Sequence, residues 1–325
     1  MKLLFLLLSC AICTANAIQP LNCNIRNNIT FTPVDREIKI CDFKEVIFDR
    51  KNKLVFNEST IDMEFEPLRI RFLDSYLPEI PSELFDTFRK VEVLEITHAD
   101  LKFLFPRSLH RAEQLISFKA NNNKIQRVPH LMFKDTPKLQ FLDLSSNSIS
   151  HVNGGAFSGL ENLKELGLSF NQIDILDEDT FKPLTNLTWI WLDHNKLRII
   201  SANLLMQSSK LKGIYLNDNK ISALSPVLFD HLPELRFLYL AGNNCTNRNY
   251  LSHTIPNNSN IKKDLVKCYQ EYRTVIPDEE ENFKEKNILD KSEKAVAACE
   301  SEKVSLLGRL ETALQQLGNK QKNGK

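Results

Sequence analysis

Glycine and excess charge are both scarce in this sequence, which has 9 glycines in 325 residues and a formal net charge of +1. Few glycines argue against phosphate-cradling loops and low-complexity linkers. A nearly neutral chain argues against electrostatic binding to nucleic acid or to a membrane surface. After the N-terminal residues, no stretch approaches the ~20 apolar residues that a membrane-spanning helix requires.

Catalytic and metal-binding motifs are also missing. None of the seven histidines has metal-site spacing to a second histidine or to a cysteine. The sequence contains no Gly-x-Ser-x-Gly motif, no P-loop and no paired-carboxylate motif. We therefore expect no enzyme activity, no cofactor and no metal.

The N-terminus predicts a secreted protein. An apolar run from Leu3 to Ile12 follows a lysine, and Ala15-Asn16-Ala17 supplies the small residues that a signal peptidase reads. Residues 1–17 are therefore a predicted signal peptide, and the mature chain should start near Ile18 in the extracellular fluid. Four Asn-x-Ser/Thr triplets are expected to carry glycans: Asn28, Asn57, Asn186 and Asn257.

A 24-residue repeat is the main signal of the sequence. Leu139, Leu142 and Leu144 are followed by Asn147 and Ile149, and the pattern recurs in seven consecutive registers without insertion. The motif LxxLxLxxNxL is the leucine-rich-repeat signature. We predict an α/β repeat fold, a leucine-rich-repeat solenoid with a curved parallel sheet, capped ends and a C-terminal helix.

The repeat registers divide the chain into segments. We expect an N-terminal cap over residues 18–66, repeats over 67–243, a C-terminal cap and linker over 244–281, and an amphipathic helix or short coiled coil over 282–325. Each motif asparagine should turn the chain out of its strand and bond backbone groups of adjacent repeats. Together these bonds form a ladder along the solenoid.

Five cysteines remain once the signal peptide is removed. Cys23 and Cys41 flank a β-prone stretch before the repeats, and Cys245 and Cys268 follow the last motif asparagine. We predict the cap disulfides Cys23–Cys41 and Cys245–Cys268, each closing a loop of roughly twenty residues.

The C-terminal tail has coiled-coil spacing. Leu289, Val296, Leu310 and Leu317 fall seven or fourteen residues apart, and Cys299 lies in the interposed apolar register. The tail either pairs with another chain, giving a homo- or heterodimer, or docks on the solenoid itself. In the same way, Cys299 either forms an interchain disulfide, pairs with a cysteine of the C-terminal cap, or stays a buried free thiol.

Side chains alternate along a strand, so we expect the third and fifth motif positions to face solvent on the concave side of the sheet. The third positions are Val93, Ser117, Phe141, Glu165, Trp189, Gly213 and Phe237. The fifth positions are Glu95, Lys119, Asp143, Gly167, Trp191, Tyr215 and Tyr239. Both tryptophans of the chain therefore lie on one strand of this face.

Six aromatic residues on this face are the predicted site for a protein partner: Phe141, Trp189, Trp191, Tyr215, Phe237 and Tyr239. We expect Gly167 and Gly213 to leave space beside the two indoles. Nearby acidic residues suit a partner with basic rim residues: Asp143, Glu165, Asp193 and Asp218. Alternatively, the aromatic residues only stabilise the sheet, or the C-terminal helix covers them.

The stretch from Leu77 to Phe85, the 24-residue repeats, the signal peptide and the cysteine-plus-helix tail resemble the secreted leucine-rich-repeat immune proteins of mosquitoes. The resemblance implies a scaffold of innate immunity that pairs through a disulfide and coiled coils. It further implies that this scaffold holds a complement-like thioester protein or a pathogen-associated ligand in the haemolymph. Two other functions stay open, an extracellular-matrix or adhesive protein and a soluble decoy or co-receptor.

The cysteine left over after the caps gives a prediction. We expect the secreted protein to run at dimer mass in non-reducing electrophoresis, because positions of the apolar register approach each other across a helix pair. The Cys299→Ser variant should run at monomer mass. A monomer in both lanes, from native fluid and from a recombinant source, would contradict the interchain disulfide.

Overall fold

Each repeat contributes a short strand to one long sheet. The computed structural model of the protein describes residues 21, 24–31, 36–48, 68–201, 203–225, 228–251, 255 and 259–275. The strands within these ranges are β1 (Asn24–Phe31), β2 (Arg36–Lys44), β3 (Leu68–Leu73), β4 (Val91–Ile96), β5 (Ser117–Lys119), β6 (Arg127–Val128), β7 (Phe141–Asp143), β8 (His151–Val152), β9 (Glu165–Gly167), β10 (Trp189–Trp191), β11 (Ile199–Ile200), β12 (Gly213–Tyr215), β13 (Ala223–Leu224), β14 (Phe237–Tyr239) and β15 (Asn249–Leu251). The helices are α1 (Leu84–Thr87), α2 (Ser259–Asp264) and α3 (Val266–Val275), with 3₁₀ turns at Pro106–Leu109, Asn203–Leu205 and Leu228–His231.

Eleven of these strands form one sheet, in the order β1-β2-β3-β4-β5-β7-β9-β10-β12-β14-β15. Neighbouring strands from β2 to β14 are parallel, whereas β1 and β15 join the two ends antiparallel. The pairing keeps the repeat register, so Ile190 lies between Leu166 and Ile214. The fold confirms the predicted leucine-rich-repeat solenoid, a parallel-sheet structure of about 7 turns.

Apolar motif residues fill the interior of the solenoid. Alternation along each strand turns the motif leucines inward, and Ile190 and Ile214 are fully buried. Farther from the sheet, Phe133, Phe157 and Phe181 stack from repeat to repeat, with ring centroids 6.0 Å apart for the first pair and 5.8 Å for the second. Since each ring packs against the ring of the next repeat, the repeats stabilise one another and fold as one stack.

The predicted asparagine ladder is present. It is formed by Asn123, Asn147, Asn171, Asn195, Asn219 and Asn243. Asn195 is typical, because its Oδ1 accepts the Ile173 N–H at 3.0 Å and its Nδ2 donates to the carbonyls of Leu168 at 2.9 Å and Leu192 at 3.1 Å. Each amide therefore joins its own repeat to the preceding one.

Two early repeats keep the same turn without asparagine. Ser75 occupies one ladder position, where its Oγ accepts the Val46 N–H at 3.1 Å and donates to the Leu73 carbonyl at 2.8 Å. Ala99 occupies the next, and its carbonyl directly accepts the Leu77 N–H at 2.7 Å. The backbone path therefore continues where the sequence motif fades.

The residue before each ladder position has a left-handed backbone. These residues have φ between 49° and 74°: Asp74, His98, Asn122, Ser146, Phe170, His194, Asp218 and Gly242. Most are small or polar, as this conformation favours. Phe170 is the bulky exception.

Antiparallel strands and a disulfide close the ends of the stack. At the N-terminal end β1 folds back on β2, and Cys41 on β2 is disulfide-bonded. At the other end β15 pairs with β14, and the disulfide between Cys245 and Cys268 links the last repeat to α3 with a Cα–Cα distance of 5.0 Å. The Cys245 N–H also donates to the Ile221 carbonyl at 3.0 Å, which continues the repeat bonding into the cap.

Several predicted features lie outside the described residues and stay predictions. They are the signal peptide 1–17, Cys23, Asn57, Asn257, Cys299 and the tail 282–325. Within the described ranges, no helix has both the length and the apolar character needed to cross a bilayer.

Loss of one ladder amide should destabilise the whole stack. We expect Asn195→Ala to lower the free energy of unfolding by about 1–3 kcal/mol, since it leaves the Ile173 N–H buried without an acceptor, whereas the Leu168 carbonyl keeps its bond from Asn171. Urea denaturation followed by circular dichroism measures this change. The control is Asn203→Ala, because Asn203 is exposed and bonds Glu178 at the surface, so the change should stay below about 0.5 kcal/mol. Equal stability of the two variants would contradict the ladder's role.

Candidate functional site

The solvent side of the sheet has two chemically different halves. In the N-terminal half, Arg71 bonds both carboxylate oxygens of Asp42 at 2.7 Å, and Arg69 bonds both oxygens of Glu95 at 2.7 and 2.8 Å. Lys119 also lies 3.5 Å from Glu95. The hydrogen bond with Asp42 raises the pKa of the Arg71 guanidinium. Sequence reasoning missed these pairs, although opposite charges recur there at the repeat spacing.

The C-terminal half carries the aromatic patch, which we define as Trp189, Trp191, Tyr215, Phe237 and Tyr239. These five rings form one continuous cluster on β10, β12 and β14. Centroids lie 6.2 Å apart for Trp189 and Trp191, 5.8 Å for Trp191 and Tyr215, and 4.4 Å for Tyr215 and Tyr239. Every ring of the patch remains partly exposed. The structure therefore brings together five of the six predicted partner-binding residues.

Gly213 determines how the patch is packed. A Cβ atom at this position would overlap the six-membered ring of Trp189, so the indole lies directly on the glycine. The ring thereby crosses β12 and comes within 5.4 Å of Phe237 on β14. The expected space beside Gly213 is thus filled by the indole itself.

The Tyr215 hydroxyl stays neutral at physiological pH. Burial raises the pKa of Tyr215, and the nearby Tyr239 hydroxyl and the charge of Asp193 add to this. At Tyr215 the patch therefore presents a ring face and an uncharged hydroxyl, a combination that suits a partly apolar partner surface.

Four predicted exposures are wrong. Val93, Ser117, Gly167 and Gly213 were expected to face solvent, yet all four are buried. Ser117 lies in register with Phe141 on the neighbouring strand, and Val93 lies in register with Arg69. Because the short side chains lie between longer ones in the same row, the longer ones cover them.

Phe141 stands apart from the aromatic patch. Strand β9 separates it from β10, and it lines a cavity of about 720 Å³ over Gly167. The lining residues are Ser117, Lys119, Phe141, Leu142, Asp143, Ser145, Ser146, Glu165, Gly167, Ser169, Phe170 and Trp191. Trp191 thus belongs both to the patch and to this cavity, whereas Asp143 and Ser145 fill the space directly beside Gly167.

The cavity rim contains a strained aromatic residue. Phe170 has φ of 55° and a side chain that is 53% exposed, and its ring stacks on His194 with centroids 4.1 Å apart. A left-handed backbone costs a bulky residue roughly 1–2 kcal/mol. His194 in turn lies 2.9 Å from Asp193 and 3.4 Å from Asp218, two of the predicted acidic residues. Sequence reasoning missed Phe170. Its signal was a bulky residue at a position where most other repeats have a small or polar one.

Asn186 is the predicted glycan acceptor whose side chain is described. Its Nδ2 donates to the Glu161 carbonyl at 2.7 Å, and its Oδ1 accepts from Lys210. Asn186 precedes β10 and lies outside the strand. Asn28 lies on β1 in the N-terminal cap.

Comparison with known proteins agrees with the fold. The leucine-rich-repeat family profile matches residues 117–173, 161–221 and 200–244. The chain is similar to a solved structure of a TLR13–ssRNA13 complex, at 27% identity and a TM-score of 0.50, over 62% of this chain and 28% of that one. Comparison with curated proteins gives no match.

A second similar structure is the LRIM1/APL1C complex, a mosquito leucine-rich-repeat immune complex. The identity is 23% and the TM-score 0.53, over 70% of this chain and 43% of that one. This likeness shows the fold alone. The chain spans less than half the length of either solved chain.

Substitution of Gly213 should disorganise the patch without unfolding the protein. We expect Gly213→Val to displace the Trp189 ring, which raises acrylamide quenching of tryptophan fluorescence and shifts the emission to the red. Both tryptophans of the chain lie in the patch, so the signal reports on it alone. The matched control is Lys212→Val, which adds the same side chain at the preceding exposed position. Identical quenching of both variants would contradict the packing of Trp189 on Gly213.

Proposed function

We propose that this chain is a secreted leucine-rich-repeat scaffold of innate immunity that binds a protein partner through the aromatic patch. The observation that carries the proposal is the cluster of five partly exposed rings in mutual contact on three neighbouring strands. Binding hot spots in protein interfaces are rich in tryptophan and tyrosine. The fold is one that typically serves as a non-enzymatic binding scaffold.

Sheet stabilisation alone does not account for the rings. Strands β4 and β5 carry Val93, Glu95, Ser117 and Lys119 at the corresponding positions, and they pair in the same parallel register as β10 and β12. The sheet therefore forms equally well without aromatic side chains. Five rings on adjacent strands are better explained by a surface that they contact.

Charge favours a protein partner over nucleic acid. Arg69, Arg71 and Lys119 on the sheet face pair with Asp42 or Glu95, whereas Asp143, Glu165 and Asp193 border the aromatic patch. Phosphate groups would be repelled by these carboxylates. The likeness to a TLR13–ssRNA13 complex is thus a likeness of scaffold, and we assign no RNA to this chain.

The immune role rests on the resemblance to mosquito leucine-rich-repeat immune proteins. A soluble extracellular scaffold is compatible with the absence of a membrane-spanning helix in the described ranges and with the likeness to the LRIM1/APL1C complex. The partner implied by the resemblance is a complement-like thioester protein or a pathogen-associated ligand. Pairing of two chains through the 282–325 tail and Cys299 belongs to the same proposal.

Truncation of one patch residue should weaken partner binding and leave folding intact. We expect Trp191→Ala to lower the affinity for the partner captured from native body fluid by at least about 2 kcal/mol, roughly 30-fold. Surface plasmon resonance on the purified pair, after mass spectrometry of the captured protein, measures this loss. Secretion should match the wild type, since Trp191 lies outside the repeat core.

The matched control is Ile175→Ala, which removes a large side chain that is 55% exposed and lies off the sheet. It should change affinity by less than about 0.5 kcal/mol. Normal binding by Trp191→Ala, or equal losses in both variants, would contradict a partner site at the aromatic patch. Capture of matrix components alone would instead support an adhesive protein.

A further inference from the structure

Two acidic side chains of the sheet face, Glu165 and Asp143, form no ion pair within the residues that the structure describes. Arg69, Arg71 and Lys119 in its N-terminal half already pair with Asp42 or Glu95. Within the part of the chain that the structure describes, the Glu165 carboxylate has no hydrogen-bond or ion-pair partner. Asp143 accepts the Ser145 N–H at 3.0 Å and has no basic partner in those residues. Both line the cavity over Gly167.

Glu165 is only partly hydrated. On the sheet it lies in register with Phe141, and it lines the same cavity as Phe141 and Trp191, so these rings replace part of its water. Burial raises the pKa of the Glu165 carboxyl, and the charge of Lys164 opposes this shift. A carboxylate that has lost hydration without gaining a partner is stabilised when a cation binds.

A third unpartnered group faces the same cavity. Ser117 is fully buried, and its Oγ has no hydrogen-bond partner among the described residues. Buried hydroxyls are normally hydrogen-bonded, so an orphaned hydroxyl lining a cavity indicates a missing donor or acceptor. Ser117 Oγ therefore adds a third hydrogen-bonding group to the two carboxylates that have no basic partner.

Aromatic faces and a glycine complete the site. Phe141, Phe170 and Trp191 line the cavity together with Gly167. A Cβ atom at residue 167 would lie only 2.8 Å from Asp143 Oδ1 and 2.9 Å from Ser145 Oγ, so the glycine allows these two side chains to lie against its backbone. Aromatic walls around paired acidic groups favour a cation with a flat, stacking surface.

We propose that this cavity holds the guanidinium group of an arginine side chain supplied by the partner protein. The proposal rests on the proposed function and names the chemistry of the partner at one edge of the aromatic patch. A guanidinium is planar and has five N–H donors, which match Glu165, Asp143 and Ser117 Oγ while its face stacks on Trp191. An ammonium group has no such face. Lys119, which also lines the cavity, lies 3.5 Å from Glu95.

The test titrates the intact protein with N-acetyl-arginine methylamide and follows tryptophan fluorescence, since Trp191 lines the cavity. N-acetyl-citrulline methylamide is the matched neutral probe, because it keeps the shape of arginine and lacks the charge. We expect saturable binding of the arginine probe and at least about tenfold weaker binding of the citrulline probe. Equal affinity of the two probes, or no saturation by arginine, would overturn the proposal.

Two variants locate the binding. Glu165→Gln should weaken the arginine probe about tenfold, because it replaces the unpaired carboxylate with a neutral group of the same size. Glu161→Gln makes the same change at an exposed position of the same repeat, outside the cavity, and should leave affinity unchanged. Equal affinities of the two variants for the arginine probe would overturn the assignment. Saturable binding of a sugar, chitotriose, at the wild-type cavity in preference to the arginine probe would also overturn it.

The probe titration needs no partner protein, so its outcome is separate from that of the proposed function. If the arginine probe does not bind but Trp191→Ala weakens partner binding, only the assignment of the cavity to an arginine is contradicted. If the arginine probe binds and its affinity depends on Glu165, but Trp191→Ala binds the partner normally, the partner site at the aromatic patch is contradicted. The cavity then remains a cation site.

Discussion

The asparagine ladder is the constraint on which the rest of the structure depends. Each ladder amide accepts an N–H from the preceding repeat and donates to carbonyls of both repeats, so neighbouring turns cannot slide past each other. The register that follows is strict. Side chains separated by one repeat stand side by side on the sheet, as Trp189, Gly213 and Phe237 do. A repeat sequence is thereby converted into straight rows of side chains.

Those rows explain the two halves of the sheet face. Where opposite charges lie in register on neighbouring strands, as Asp42 and Arg71 do, they neutralise each other and leave little to bind a partner. Where aromatic residues do so, they stack into a continuous apolar surface. Gly167 lies at the boundary and lines the cavity in which unpaired acids meet aromatic rings.

Much of the fold and of the aromatic patch could be predicted from the sequence, because the repeat fixes the position of each residue on the sheet. The leucine spacing predicted the solenoid, Asn195 predicted the ladder, and strand alternation placed Trp191 on the solvent side. Contacts that depend on side-chain conformation could not be predicted in this way. Neither the indole of Trp189 lying on Gly213 nor the burial of Ser117 beside Phe141 follows from alternation. Likewise, Ala99 keeps its turn through a backbone bond that no residue type signals.

Footprinting of the bound protein tests the central claim most directly. Hydroxyl radicals oxidise exposed side chains, so a partner seated on the aromatic patch must shield Trp189, Trp191 and Tyr215 while Met206, which lies off the sheet, stays reactive. The account predicts reduced oxidation of the three patch residues in the complex and unchanged oxidation of Met206. Unchanged oxidation of both tryptophans in a fully formed complex would contradict it.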